Sequence, residues 1–98
     1  MNPKFIIPEV YEVVIKCEPH IDDLRSVLYP IFNLADQQYR GRITSKGAFH
    51  SSGDGFVEFL EKADAELFQQ QVQSLSGIEY TLVQKSPYGR ASTSLRTY

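Results

Sequence analysis

Phe56-Val57-Glu58-Phe59-Leu60 is the stretch on which the fold turns. It is short, aromatic and apolar, and it reads as the strongest strand in the chain. A helix is expected after it. Asp64 is the expected N-cap. Ala65, Phe68, Val72 and Leu75 then recur at helical spacing and give one apolar face, and Gly77 fits the C′ position that ends it. Ile78 to Val83 alternates cleanly and reads as the last strand.

Upstream of Phe56, Ser52-Gly53-Asp54-Gly55 reads as a bulge or an extended loop, with Phe49-His50-Ser51 opening the strand before it. Lys46-Gly47 is the expected turn, with Gly47 supplying φ > 0, and Tyr39 to Ser45 the expected second strand. Tyr11 to Lys16 is β-branched and aromatic and reads as the first strand. Glu18-Pro19-His20 breaks it. Pro19, Asp22 and Asp23 suit the first turn of a helix. Ile21, Leu24, Val27, Leu28 and Ile31 give that helix its apolar face, and Pro30 is expected to kink it or end its regular part.

The order β-α-β-β-α-β defines an α+β, ferredoxin-like chain: an antiparallel four-stranded sheet with two helices on one face. One domain is expected over residues 9–85. Residues 1–8 read as an extended lead-in, and the polar, basic residues 86–98 as a flexible tail. Such a sheet leaves its other face without helices. That face must be solvated, bind a ligand or partner, or pair with a second copy.

The 98 residues suffice for one small core. With 42% hydrophobic and 22% charged residues the chain is too apolar for disorder throughout. Cys17 is the single cysteine, which excludes an intrachain disulfide and fits a reducing compartment. Runs such as Val13-Val14-Ile15 fall far short of the roughly 20 apolar residues of a membrane helix. The N-terminus lacks the basic and apolar regions of a signal peptide, so a cytoplasmic protein without membrane contact is expected. Net charge is −2, which gives no general attraction to nucleic acid. Residues 85–98 hold Lys85, Arg90 and Arg96 and no acid. That is +3, and it leaves −5 on residues 1–84 out of the total of −2.

Catalytic signals are few. His20 and His50 are the only side chains for base chemistry near neutral pH, and neither lies in a nucleophile elbow or phosphate loop. Asp22 and Asp23 diverge by about 100° on a helix, so they serve as caps rather than an acid/base pair. Cys17, Glu18, His20 and Asp22 offer metal-ligand atoms, but zinc motifs need a second cluster. No enzyme, metal or cofactor is expected. The segment Gly53 to Phe59 resembles the third strand of RNA-recognition motifs, with Phe56 at one stacking position. Asp54 stands at the other, Ser52 where a basic residue belongs, and Glu12 where the first strand wants an aliphatic. A core strand with Val57 and Phe59 buried is the preferred reading. RNA binding through Phe56, Tyr11, Arg40, Arg42 and Arg90 is the alternative.

Two motifs stand out together: Phe5-x-x-Pro8-x-x-Tyr11-x-Val13 and Ser45-Lys46-Gly47-x-Phe49-His50-Ser51. They resemble the YbeD-like family of small uncharacterised bacterial proteins, over about residues 5–84. Ile6, Thr44 and the extra residues at 52–55 depart from the family pattern. The resemblance implies a ferredoxin-like fold similar to the regulatory ACT domains, and no catalytic activity. ACT-like domains take ligands near the first strand-to-helix loop, here Cys17 to Asp22 by topology alone. The sequence expectation is therefore a non-enzymatic regulatory or protein-interaction module that dimerises, senses a small ligand or binds a protein through its open sheet face. The candidate binding residues are Lys46, Phe49, His50, Ser51, Tyr11 and Phe56, with Lys46, His50 and Ser51 placed to hold an anion or carboxylate.

Overall fold

In the structure, a computed structural model describing residues 9–19, 23–49 and 51–86, strand β1 (Tyr11–Cys17) occupies an inner position in the sheet. Its alternating side chains split between two faces. Val13, Ile15 and Cys17 go to one side and are at most 1% exposed. The chain then forms α1 (Leu24–Gln38), β2 (Ile43–Phe49), β3 (Asp54–Phe59), α2 (Lys62–Val72) and β4 (Ile78–Lys85). The sheet order is β2-β3-β1-β4, and every neighbouring pair is antiparallel. This is the ferredoxin-like α+β architecture expected from the element order.

Both helices pack on the same face of the sheet. Leu28, Ile31, Phe32 and Ala35 of α1 and Ala65, Phe68 and Val72 of α2 join Val13, Ile15, Val57 and Phe59 in a single core. Val57 and Phe59 are buried as expected. Asp23 caps α1, its side chain accepting from the Arg25 N–H at 3.2 Å. Among the described residues no helix is long and apolar enough to cross a membrane.

Several boundaries differ from the sequence reading. Helix α1 runs through Pro30 to Gln38. Proline removes the hydrogen bond to the carbonyl four residues back, here that of Ser26. Ser26 and Pro30 both lie on the exposed side of α1, where water can take that bond. Tyr39 belongs to the core rather than to β2. Its ring meets Phe59 at 5.2 Å and Phe68 at 5.8 Å, both edge to face, and its hydroxyl donates to Gln71 Oε1 at 2.9 Å. The aromatic pull of that cluster delays β2 until Ile43.

Lys46-Gly47 is not a turn. Both residues lie in β2, and Gly47 pairs with Phe56 without a positive φ. The turn falls later, where Gly53 takes φ 74° and its N–H donates to the Phe49 carbonyl at 3.0 Å. Phe49 therefore ends β2 instead of opening the next strand, and Asp54 and Gly55 belong to β3. Helix α2 starts earlier than expected, with Glu61 at the N-cap position and Asp64 in the first turn. It ends at Val72, so Leu75 lies beyond it and is 42% exposed, and Gly77 (φ 89°) sits in the loop to β4. The lead-in at 1–8, Ile21, Asp22 and the tail beyond Ser86 lie outside the described residues.

Gly55 faces the core directly beneath α1. A Cβ built there would sit 2.8 Å from both Cδ atoms of Leu28, which is only 1% exposed, so the packed side chain must shift to admit it. Gly55→Ala is expected to cost about 1–3 kcal/mol through overpacking. Urea unfolding would show a lower midpoint with an unchanged slope, and an unchanged midpoint would refute this close approach.

Candidate functional site

The strand register sets three rows of side chains across the sheet face opposite α1 and α2. In one row Ser45, Glu58, Glu12 and Gln84 stand side by side on β2, β3, β1 and β4. In the next are Gly47, Phe56, Val14 and Leu82. In the third are Phe49, Asp54, Lys16 and Tyr80.

The first row is chemically unusual. Glu12 and Glu58 are direct cross-strand partners, and each is 0% exposed. Like charges placed opposite one another on a sheet repel, and burial strengthens the repulsion. Three neutral donors reach the pair. Thr44 Oγ1 donates to Glu58 Oε1 at 2.8 Å, Gln84 Nε2 donates to Glu12 Oε2 at 2.5 Å, and Ser86 Oγ donates to Glu58 Oε2. These bonds orient the two carboxylates.

The second row is apolar. Gly47 leaves room beside Phe56, whose ring stacks on Phe49 at 5.7 Å and 23°. Phe56 is 1% exposed, while Phe49, Leu82 and Tyr80 are 41%, 37% and 50% exposed. The third row closes the far end with an ion pair, Lys16 Nζ to Asp54 Oδ1 at 3.2 Å, and Lys16 also donates to the Ser52 carbonyl. The face thus presents an acidic end, an apolar middle and a neutralised far end.

The residues singled out from sequence fall in different places. Phe49 and Phe56 come together on this face. Tyr11 does not join them, because its register places it on the helix-bearing side. There its hydroxyl donates to Glu9 Oε1 at 3.0 Å, which draws the Glu9 carboxyl below its usual range and lifts the Tyr11 phenol. Lys46 also points to the helix side, with Nζ 3.1 Å from Asp36 of α1. Ser51 is exposed in the loop between β2 and β3, and His50 lies outside the described residues. Of the arginines considered for RNA, Arg42 is bound to Asp64 at 3.3 Å and lies over the Tyr39 ring at 5.1 Å, on the helix side.

A second recess of about 290 Å³ lies where the end of β1 meets the loop between β2 and β3, lined by Lys16, Cys17, Leu24, Ser51 and Gly53 among others. It adjoins Cys17, Glu18 and Pro19, the described part of the segment where the sequence resemblance places a ligand. Cys17 is 1% exposed there, and burial, reinforced by the Asp54 charge, pushes its thiol up to about 11. A thiol at that value supplies almost no thiolate near neutral pH, which disfavours nucleophilic or ligating chemistry. Among the described residues no three His, Cys, Asp or Glu side chains converge as a metal site. His20 and Asp22 lie outside them.

No protein-family model matches the chain, and no curated protein matches it in sequence. The site therefore rests on its own geometry. Its principal residues, Glu12 and Glu58, were not among the sequence candidates. The available signal was position: each occupies the alternate, non-core register of a strand flanked by Val or Phe.

Two outcomes follow from this geometry. Thr44→Val keeps strand propensity but removes a donor to a buried carboxylate, and should cost about 1.5–3 kcal/mol in thermal or urea unfolding. A cost below the error of the method would show the bond to be inconsequential. For Cys17, the folded value lies above the ordinary 9.0, so its share of stability is intact below pH 9 and is lost as pH rises toward about 11. Ellman's reagent should label Cys17 slowly in the native chain at pH 8 and at once in urea. Rapid native labelling at pH 8 would contradict this burial.

Proposed function

We propose that this chain is a non-enzymatic protein-interaction module whose sheet face opposite α1 and α2 receives a basic polypeptide segment. One observation carries the reading: two buried carboxylates, Glu12 and Glu58, stand opposite each other on the two inner strands of that face. A pair of adjacent carboxylates is complementary to a group that combines positive charge with good hydrogen-bond geometry. An Arg guanidinium offers both, since its planar fork matches carboxylate oxygens. The neighbouring row of Phe56, Val14 and Leu82 suits the aliphatic stem of such a side chain or an apolar residue beside it.

The same pair disfavours a nucleic acid, whose phosphates would meet two acids on the inner strands. Phe56, the aromatic on which base stacking depends, is 1% exposed and already stacked on Phe49. The YbeD-like resemblance fits the interaction reading, because it implies a regulatory fold without catalytic activity.

The test is a titration of the full chain, to millimolar concentration, with a short peptide alternating arginine and leucine, followed by amide NMR. Shifts are expected at Glu12, Val14, Glu58 and Gln84, weakening as salt is raised and falling at least about tenfold in affinity in Glu12→Gln/Glu58→Gln. Absent shifts, or shifts confined to the helix face, would refute the reading. Oligouridine producing the same shifts would replace it with the RNA alternative.

A further inference from the structure

Strand β4 is an outer strand of the sheet, and among the described residues β1 is its only neighbouring strand. One bond sets the direction of its backbone groups. The Ser86 N–H donates to the Val10 carbonyl, just before β1, at 2.8 Å. In an antiparallel pair the N–H and C=O of one residue point to the same side, and successive residues alternate. Gln84, Leu82 and Tyr80 therefore direct theirs to β1, while Lys85, Val83 and Thr81 direct theirs outward. The Thr81 carbonyl agrees with this, since it accepts from Gln69 Nε2 of α2 at 3.4 Å. An outward row of this kind is a template for a further strand.

The opposite edge, β2, is interrupted by a register shift between Ile43 and Ser45. The pairing of β4 runs regularly from Tyr80 to Lys85 and shifts only where it meets Lys16/Cys17. Its side chains define the strand that fits. Laid antiparallel on its own copy, about a two-fold axis through Leu82, β4 sets Thr81 opposite Val83, so outward backbone groups meet outward groups. Tyr80 then lies opposite Gln84, Leu82 opposite its own counterpart, and Glu79 opposite Lys85. The symmetry repeats this acid–base pair at both ends of the contact. Moving the axis to Thr81 puts Glu79 opposite Val83, and moving it to Val83 puts Lys85 opposite Thr81, so the axis at Leu82 is the one that joins the charges. Glu79, Tyr80, Leu82 and Lys85 are all exposed. Lys85 meets Glu9 at 3.2 Å, yet its side chain stays 65% exposed and open to a second acid.

We infer that β4 is a self-association edge: two copies of this chain join by antiparallel pairing of β4 with β4 about Leu82, and their sheets become one. Backbone bonds between Thr81 and Val83 and the paired Glu79 and Lys85 hold the contact. The row of Phe56, Val14 and Leu82 then continues through the second Leu82 into the other copy. This goes beyond the interaction reading above and is independent of it, because it uses the edge of the sheet and not its face.

The test is sedimentation of the full chain from about 10 µM to about 1 mM, together with amide hydrogen exchange. The mass is expected to rise with concentration from that of one chain toward that of two. The Thr81 and Val83 amides should exchange about tenfold more slowly at the upper concentration. Glu79→Lys and Lys85→Glu change exposed side chains and place like charges opposite each other, so each variant alone should associate about tenfold more weakly. Mixed in equal amounts, the two variants regain both acid–base pairs and should associate as tightly as the unaltered chain. The mass of one chain at every concentration would overturn the inference. So would association that leaves the exchange of Thr81 and Val83 unchanged, or mixed variants that associate no better than either alone.

Discussion

Glu12 and Glu58 face each other across the two inner strands of the sheet, both out of reach of water, and much of the molecule's organisation follows from that opposition. Two like charges in a low-dielectric setting repel strongly unless other groups hold and compensate them. The outer strands supply part of this through Thr44 on β2 and Gln84 on β4, and Ser86 adds a third donor. The carboxylate pair thus ties all four strands into one polar row. We propose that this row receives a cation carried on a polypeptide.

The helix-bearing face provides the rigid support. Tyr39 meets Phe59 and Phe68 edge to face, and those two rings meet at a tilt, in a cluster that joins the end of α1, β3 and α2. Gly55 lets Leu28 of α1 approach β3 at close range. Lys46 and Arg42 are engaged with Asp36 and Asp64 on this side. With β1 and β3 fixed from behind, the side chains on their other face hold a defined spacing. Preorganisation of that kind lowers the entropic cost of binding.

Much of this architecture was legible in the sequence, and the reasons differ by element. The order of strands and helices followed from hydrophobic periodicity, which is a direct record of burial. Val57 and Phe59 were recognised as core for the same reason. Pro30 misled because a proline stops a helix only where its lost hydrogen bond cannot be replaced, and here the carbonyl lies on the solvent side. Lys46-Gly47 misled because glycine also serves flat strands, here beside the bulky Phe56. Tyr39 looked like a strand residue by type, but its contacts are set by Phe68, distant in sequence. Glu12 and Glu58 were the least legible. A charged residue at the non-core register of a strand ordinarily faces water, and only the three-dimensional row shows that these two do not.

Carboxylate footprinting is the measurement closest to the central claim. Carbodiimide activation in the presence of glycine ethyl ester labels accessible acids, and mass spectrometry reads each site. Glu61, Glu66 and Glu79 are exposed and should label readily in the native chain, while Glu12 and Glu58 should stay unlabelled until the protein unfolds. Native labelling of Glu12 and Glu58 at the rate of the exposed acids would show an open, solvated face and contradict the account.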